Sequence, residues 1–225
     1  MTAAKGRPRA PRGSLSRGAI LDGAVAVLDE RGPAALTMRS LADRLGVRPM
    51  ALYTYFASKD ELLDAVRDHI LRDLDTRPAG GDWADRLRSV GLALYRLLVA
   101  HPALIHLFAT RPLAGDEAAE ATETQLRVLR DAGFDRVTAA RAHLTLLHHA
   151  LGSATWDVRL NVGRDAESRR RRRAALRAMS PADYPTLVDL APELVDDTAG
   201  EEQFLFGLER ILDGLAALRP PKGAQ

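Results

Sequence analysis

The sequence predicts an all-α protein, and three observations predict it. Apolar residues recur three and four positions apart along nearly the whole chain, and no segment alternates with period two for long. Helix-starting residues such as Ser58 and Asp82 stand just ahead of the apolar runs. Helix-stopping pairs and single breakers (Gly32-Pro33, Gly46, Pro102, Gly133, Pro220-Pro221) close them at ordinary helix lengths.

The first helix carries Ile20, Leu21, Ala24, Val25, Val27 and Leu28, with Ser14 or Ser16 as its cap. A short helix follows Thr37 with Met38, Leu41, Ala42 and Leu45 on one side and ends at Gly46; Pro49, well suited to a first helical position, opens another through Tyr55. Ser58-Lys59-Asp60-Glu61 has the form of a capping box, in which the serine accepts from the Glu61 N–H and the glutamate reaches back to the serine N–H. The long helix it opens is expected to run to Leu74, before Pro78-Ala79-Gly80-Gly81. Further helices are predicted from Asp82 to about Ala100, around the Thr110-Arg111-Pro112 turn, from Glu117 to Ala132, from Arg136 to Leu160, and from Glu201 to Leu218. Residues 161–200 are the least regular stretch. Asn161-Val162-Gly163 reads as a loop, and the five arginines from Arg169 to Arg173 read as a solvated, mobile loop, with a second nucleic-acid contact as the alternative.

Composition bounds the function. At 225 residues, 46% apolar and 28% charged, the chain can bury a proper core. The formal charge of +2 conceals an asymmetry: residues 1–17 hold Lys5, Arg7, Arg9, Arg12 and Arg17 and no acid, a distribution suited to an arm lying on phosphates. Absence of cysteine excludes disulfides and thiolate metal sites. No signal peptide and no membrane-spanning apolar run is visible, so a cytoplasmic protein with no membrane partner is expected.

Two short helices joined by a glycine turn and flanked by longer ones are the helix-turn-helix plan, whose second helix enters the major groove. Here that helix reads Arg48-Pro49-Met50-Ala51-Leu52-Tyr53-Thr54-Tyr55-Phe56, with Leu52 and Phe56 at i, i+4 facing inward. The run from Thr37 to Val47, followed by Ala51-Leu52-Tyr53-Thr54-Tyr55-Phe56-Ala57-Ser58-Lys59-Asp60-Glu61-Leu62-Leu63, resembles the N-terminal signature of the TetR family nearly throughout.

The resemblance implies a basic arm over 1–14, a helix-turn-helix DNA-binding domain over 15–61, and a helical ligand-binding and dimerisation domain over 62–225. It implies a homodimeric repressor on a palindromic operator, released by a small-molecule effector and needing no cofactor. A ligand-independent or activating regulator, or an enzyme on a vestigial regulator fold, are the alternatives. Thr37 and Arg39 on the first helix, and Arg48, Met50, Ala51, Thr54 and Tyr55 on the second, are the expected groove residues, and Tyr53 and Lys59 the expected phosphate clamps.

In the C-terminal part, Leu144, Leu147 and Leu151, and Phe204, Leu208, Ile211 and Leu215, recur at alternating spacings of three and four. They are the expected dimer face, a four-helix interface. Trp83, Thr110-Arg111-Pro112, Gln125-Leu126, Gly133-Phe134, Leu151-Gly152 and the Phe204 to Leu215 run resemble the tetracycline-repressor branch, which implies a ligand chamber. On that resemblance the chamber is lined by Val90, Leu94, His106, Leu107, Thr110, Arg111, Gln125, His148, Leu151 and Trp156. Thr110-Arg111-Pro112 and Gln125 match the tetracycline site. The magnesium-binding histidine does not, because His106 lies one position early with Leu107 in its slot, and Trp156 and Val90 replace an acidic and an asparagine contact. The effector is therefore expected to be something other than magnesium-tetracycline. His148 and His149 project about 100° apart and are not expected to share a metal, and no catalytic constellation is visible.

Overall fold

The computed structural model describes residues 15–75, 80–111, 115–161, 166–196 and 200–219, and every regular element among them is helical. The basic arm, Pro78-Ala79, Pro112, Val162-Gly163 and Pro220-Pro221 lie outside the described residues. Two compact units emerge: Met1–Asp73 with His106–Ala119, and Leu74–Ile105 with Glu120–Gln225.

In the first unit, α1 (Arg17–Arg31) starts where Ser16 Oγ accepts from the Ala19 N–H at 3.1 Å. After a 3-10 turn over Pro33–Ala35 comes α2 (Met38–Leu45), whose cap is reciprocal: Thr37 Oγ1 accepts from the Ser40 N–H, and Ser40 Oγ from the Thr37 N–H, both at 2.9 Å. Gly46, at φ 69°, ends α2 in the left-handed region that a side chain would strain. Next is α3 (Pro49–Tyr53), which stops two residues before the predicted Tyr55. Then α4 (Lys59–Leu71) begins at Ser58, whose hydroxyl accepts from Glu61 as predicted. Glu61, however, accepts from the Ala57 N–H at 2.7 Å, one residue before the expected serine. The helix also ends three residues short of Leu74. Ile20, Ala24, Val27, Leu36, Leu41, Leu52, Phe56, Leu62 and Val66 are completely buried, so α1 to α4 close on one core. Burial of each large apolar side chain contributes about 1.5–3 kcal/mol.

The second unit is built on three mutually packed helices, α5 (Trp83–Ala100), α8 (Arg136–Asn161) and α12 (Glu201–Ala217). Between them in sequence lie α6 (Pro102–Thr110), α7 (Asp116–Asp131), α9 (Ala166–Arg177), α10 (Pro185–Asp189) and α11 (Ala191–Asp196); α6 and α7 each straddle the division between the units. Phe204 is sandwiched between the rings of Tyr95 (4.3 Å) and His149 (4.9 Å), both nearly parallel to it. His149 Nε2 lies 2.9 Å from the Phe204 carbonyl oxygen, and α12 passes so close to that imidazole that a Cβ on Gly207 would collide with it. Ion pairs Arg88–Glu209 and Arg96–Glu201 fasten α5 to α12 on the outside. The five-arginine run is helical rather than a loop: it forms the middle of α9, which packs against α10 and α11.

Candidate nucleic-acid interface and effector site

Capping and burial together decide what α2 and α3 offer to a ligand. Leu52 and Phe56 are taken by the core, which leaves Arg48, Met50, Tyr53 and Thr54 exposed and Ala51 half-buried; Met50, at 72%, is the most exposed large apolar side chain of the described residues. Arg39, Arg48 and Lys59 are exposed and meet no carboxylate among the described residues, whereas Arg44 is held by Glu30 through two bonds of 2.7 and 2.8 Å. That pairing holds the Glu30 carboxyl below the usual range, through the hydrogen bond from Arg44. Arg17 stacks over Phe56 at 4.4 Å and is likewise committed within the protein.

Three of the predicted groove residues are occupied internally. The Tyr55 hydroxyl donates to the Leu15 carbonyl at 2.7 Å and its ring is half-buried, so Tyr55 anchors the start of α1 to the end of the α3 turn. The Thr54 hydroxyl donates to the Ala51 carbonyl at 2.7 Å, and the Thr37 side chain is spent on the α2 cap. The open polar groups are thus Arg39, Arg48, Tyr53 and Lys59. Lys59 stands at the start of α4 beside Asp60 and Glu61, but both acids are engaged, Glu61 by Ala57 and Asp60 by Arg111.

Arg111 is the centre of a charged cluster that the sequence did not reveal. Its guanidinium donates to both oxygens of Asp64 (2.7 and 3.0 Å), to the Asp60 carboxylate (2.9 Å) and to the Asp60 carbonyl (3.0 Å). Asp60, Asp64 and Asp68 form an i, i+4, i+8 stripe along α4, and Arg67, only 1% exposed, lies 3.6 Å from Asp64 and 3.9 Å from Asp68. The hydrogen bonds from Arg111 hold Asp64 below the usual carboxylate range, whereas burial pushes Asp68 up against the opposing pull of Arg67. The spacing of the three aspartates was the available sign; Arg111, the partner of Asp60 and Asp64 some fifty positions away, was not.

The ten predicted chamber residues fall into different surroundings. Val90, Leu94 and Leu107 are buried, and Leu151 is half-buried. His106 and Thr110 are exposed, with the Thr110 hydroxyl donating to the His106 carbonyl at 2.8 Å, and Arg111 is engaged by α4. Gln125, 6% exposed, is paired with His143 through a 2.7 Å contact from Oε1 to Nδ1. Burial, reinforced by the neighbouring His148, holds His143 below the usual imidazole range, and because an amide oxygen can only accept, His143 Nδ1–H is the donor to Gln125. His148 and the 56%-exposed Trp156 line an open cleft of about 490 Å³ between α8 and the start of α12, with His149, Ser153 and Gln203. At its floor Asp157, 3% exposed, accepts from the Tyr95 hydroxyl and, at 2.8 Å, from the Gly200 N–H. No group of three or more metal-ligating side chains is placed around a common point among the described residues.

The predicted dimer face also divides. Phe204, Leu208 and Leu215 are buried inside the second unit of a single chain, so their periodicity marks the core rather than an open surface. Leu144 is 49% exposed, and Leu147, Leu151 and Ile211 are half-buried. Sequence periodicity missed Phe206 on α12, which is 59% exposed.

Comparison with known proteins agrees with this architecture over both units. Residues 20–66 match the model of bacterial regulatory proteins of the tetR family, and residues 77–219 match the tetracyclin repressor-like C-terminal domain. The chain is 31% identical over 224 residues to the HTH-type transcriptional repressor DrrR1 of Streptomyces coeruleorubidus, covering 93% of this chain and 80% of that protein. It is 31% identical over 208 residues to the class D tetracycline repressor protein of Escherichia coli, covering 89% and 88%. The structure of ActR from Streptomyces coelicolor, solved in complex with actinorhodin, superposes with a TM-score of 0.81 at 28% identity, covering 93% of this chain and 99% of that one. With both segments matched, in order and over most of the chain, the protein belongs to the TetR family of helix-turn-helix transcriptional repressors regulated by ligand binding.

Proposed function

We propose that the chain acts as a homodimer on a palindromic operator in the cytoplasm, has no enzymatic activity, and reads DNA with Arg39, Arg48, Met50 and Ala51 while Tyr53 and Lys59 hold phosphates. The observation that carries this is the split across α2, α3 and the start of α4: Leu52 and Phe56 are sealed in the core, while Met50, Tyr53 and the cations Arg39, Arg48 and Lys59 stand exposed, the cations uncommitted to any carboxylate among the described residues. Two such surfaces one helical turn of DNA apart require a dimer. Leu144, Leu147, Leu151, Ile211 and Phe206 are the apolar groups on α8 and α12 still able to lose surface to a second copy.

The effector is a largely apolar small molecule other than magnesium-tetracycline. Leu107 is buried where the metal-binding histidine would stand, and His106 is exposed one position earlier. ActR, whose structure is similar, is solved with actinorhodin, and that compound is the first one to try. Release works through Arg111: it ties the residue after α6 to Asp60 and Asp64 of α4, so an effector that displaces the Thr110-Arg111 segment shifts the helix that directly follows the recognition helix. Reciprocity requires operator DNA to weaken the effector by the same factor. The test is a binding titration on DNA from around the protein's own gene, with actinorhodin, a panel of apolar small molecules and magnesium-tetracycline added in parallel. Release by a member of the panel and not by the chelate is expected; DNA binding unmoved by every compound would overturn the ligand reading.

A further inference from the structure

Helix α9 carries a charge array that folding does not require. Six arginines and a single carboxylate, Glu167, stand among its twelve residues, and no lysine. The helix alone holds five net positive charges against +2 for the whole chain, so the remainder of the protein is acidic overall. Consecutive residues project about 100° apart, so five arginines in succession wrap the full circumference and no rotation of the helix hides them all.

The packing of α9 sorts them. Against α10 and α11, Arg172, Arg173 and Leu176 are half-buried, while Arg170, Arg171 and Arg177 face solvent. The Arg170 and Arg171 side chains are 83% and 78% exposed and lean on the same carboxylate, Glu167, at 3.8 and 3.0 Å. One acid neutralises one of the two, and Arg177 meets no carboxylate among the described residues. Arg170 and Arg171, adjacent and exposed, share a single carboxylate, so like charge is left over on that side. A polyanion across the exposed side compensates it, and a guanidinium fork suits phosphate oxygens better than an ammonium does.

We propose that α9 is a second, sequence-independent DNA contact, in which Arg170, Arg171 and Arg177 neutralise backbone phosphates of duplex DNA. The choice of DNA rests on the family's work on operators, which brings this polyanion to the protein at every functional encounter. About 18 Å long, α9 spans roughly five phosphates of one strand measured along the duplex axis.

The test uses the full chain and a random-sequence duplex, with binding followed by fluorescence anisotropy across a salt series. For a variant with Arg170→Gln, Arg171→Gln and Arg177→Gln, the slope of log affinity against log salt should become shallower by about 0.9 for each phosphate no longer neutralised, up to about 2.7 per chain. The corresponding triple Arg→Lys variant should keep the wild-type slope. Glu167→Gln, which removes the helix's sole acid, should tighten binding roughly twofold. Equal slopes for the wild type and the glutamine variant, with Arg39→Ala still weakening operator binding, would overturn the α9 contact and leave the helix-turn-helix reading standing. Wild-type protein that binds no duplex at all would overturn both. A glutamine variant that loses an acidic protein partner or anionic vesicles, with its DNA slope unchanged, would assign α9 elsewhere and equally overturn the proposal.

Discussion

The helix-turn-helix segment and the α5–α8–α12 core use similar apolar spacing for different ends. In the first, residues that face inward and residues left outside alternate within seven positions: Leu52 and Phe56 are fully buried, Met50 and Tyr53 exposed. In the second, Phe204, Leu208 and Leu215 of the α12 repeat go inward and Ile211 is half-buried, while Leu144 of the α8 repeat is exposed together with Phe206 and Trp156, which stand off the repeat. A short helix held by two neighbours has one buried face and a wide free one. A seventeen-residue helix packed on two partners has its apolar stripe consumed by the chain itself.

The contrast can be broken most directly by truncating one buried and one exposed residue in each region. Phe56→Ala should cost about 3–5 kcal/mol in urea denaturation and remove DNA binding with it. Met50→Ala, at the same site, should leave the melting temperature unchanged and alter operator affinity alone. In the second region Leu208→Ala should cost about 2–5 kcal/mol at every protein concentration, because its loss is a loss of core. Leu144→Lys should instead leave the fold intact and shift the sedimentation profile toward the monomer. If Leu208→Ala merely dissociated the dimer, the division of α12 into a core face and an open face would be wrong.

Smaller effects sharpen the DNA surface. Arg39→Ala should weaken operator binding by about 1–3 kcal/mol and relax discrimination at one base pair, measured by anisotropy on single-substituted operators. The smallest expected effect concerns pH. Asp64 has its folded pKa depressed by Arg111, so its stabilising contribution is present above the usual carboxylate pKa and is lost as pH falls below about 4. Asp64→Asn should therefore flatten the acid limb of stability between about pH 4 and pH 2 in denaturation followed by circular dichroism. An acid limb identical to wild type would separate Asp64 from the Arg111 clamp.

Much of the DNA-binding surface was legible because its signals are local. The cap at Ser58, the stop at Gly46 and the proline opening α3 act within four residues and stand where the chain spelled them, and of the two serines offered for α1 it is Ser16 that caps it. The details that escaped depend on atoms brought from elsewhere. Tyr55 reads as a groove residue until its hydroxyl is found on the Leu15 carbonyl, forty positions away. The Arg169–Arg173 run reads as a loop because of its charge, yet α10 and α11 supply a surface on which it forms a helix.

The sequence by itself determined the helical class, the order of the elements, the two short helices of the DNA-reading unit and the residues that seal them, since hydrophobic period and capping chemistry are properties of neighbouring residues. Only the tertiary structure decided which of several equivalent apolar positions is core and which polar groups are already spent. It gave Arg111 to Asp60 and Asp64, Gln125 to His143, and Phe204 to a stack between Tyr95 and His149. The reason is physical: a side chain's availability depends on which distant partner desolvates or pairs with it, and spacing along the chain carries no record of that partner.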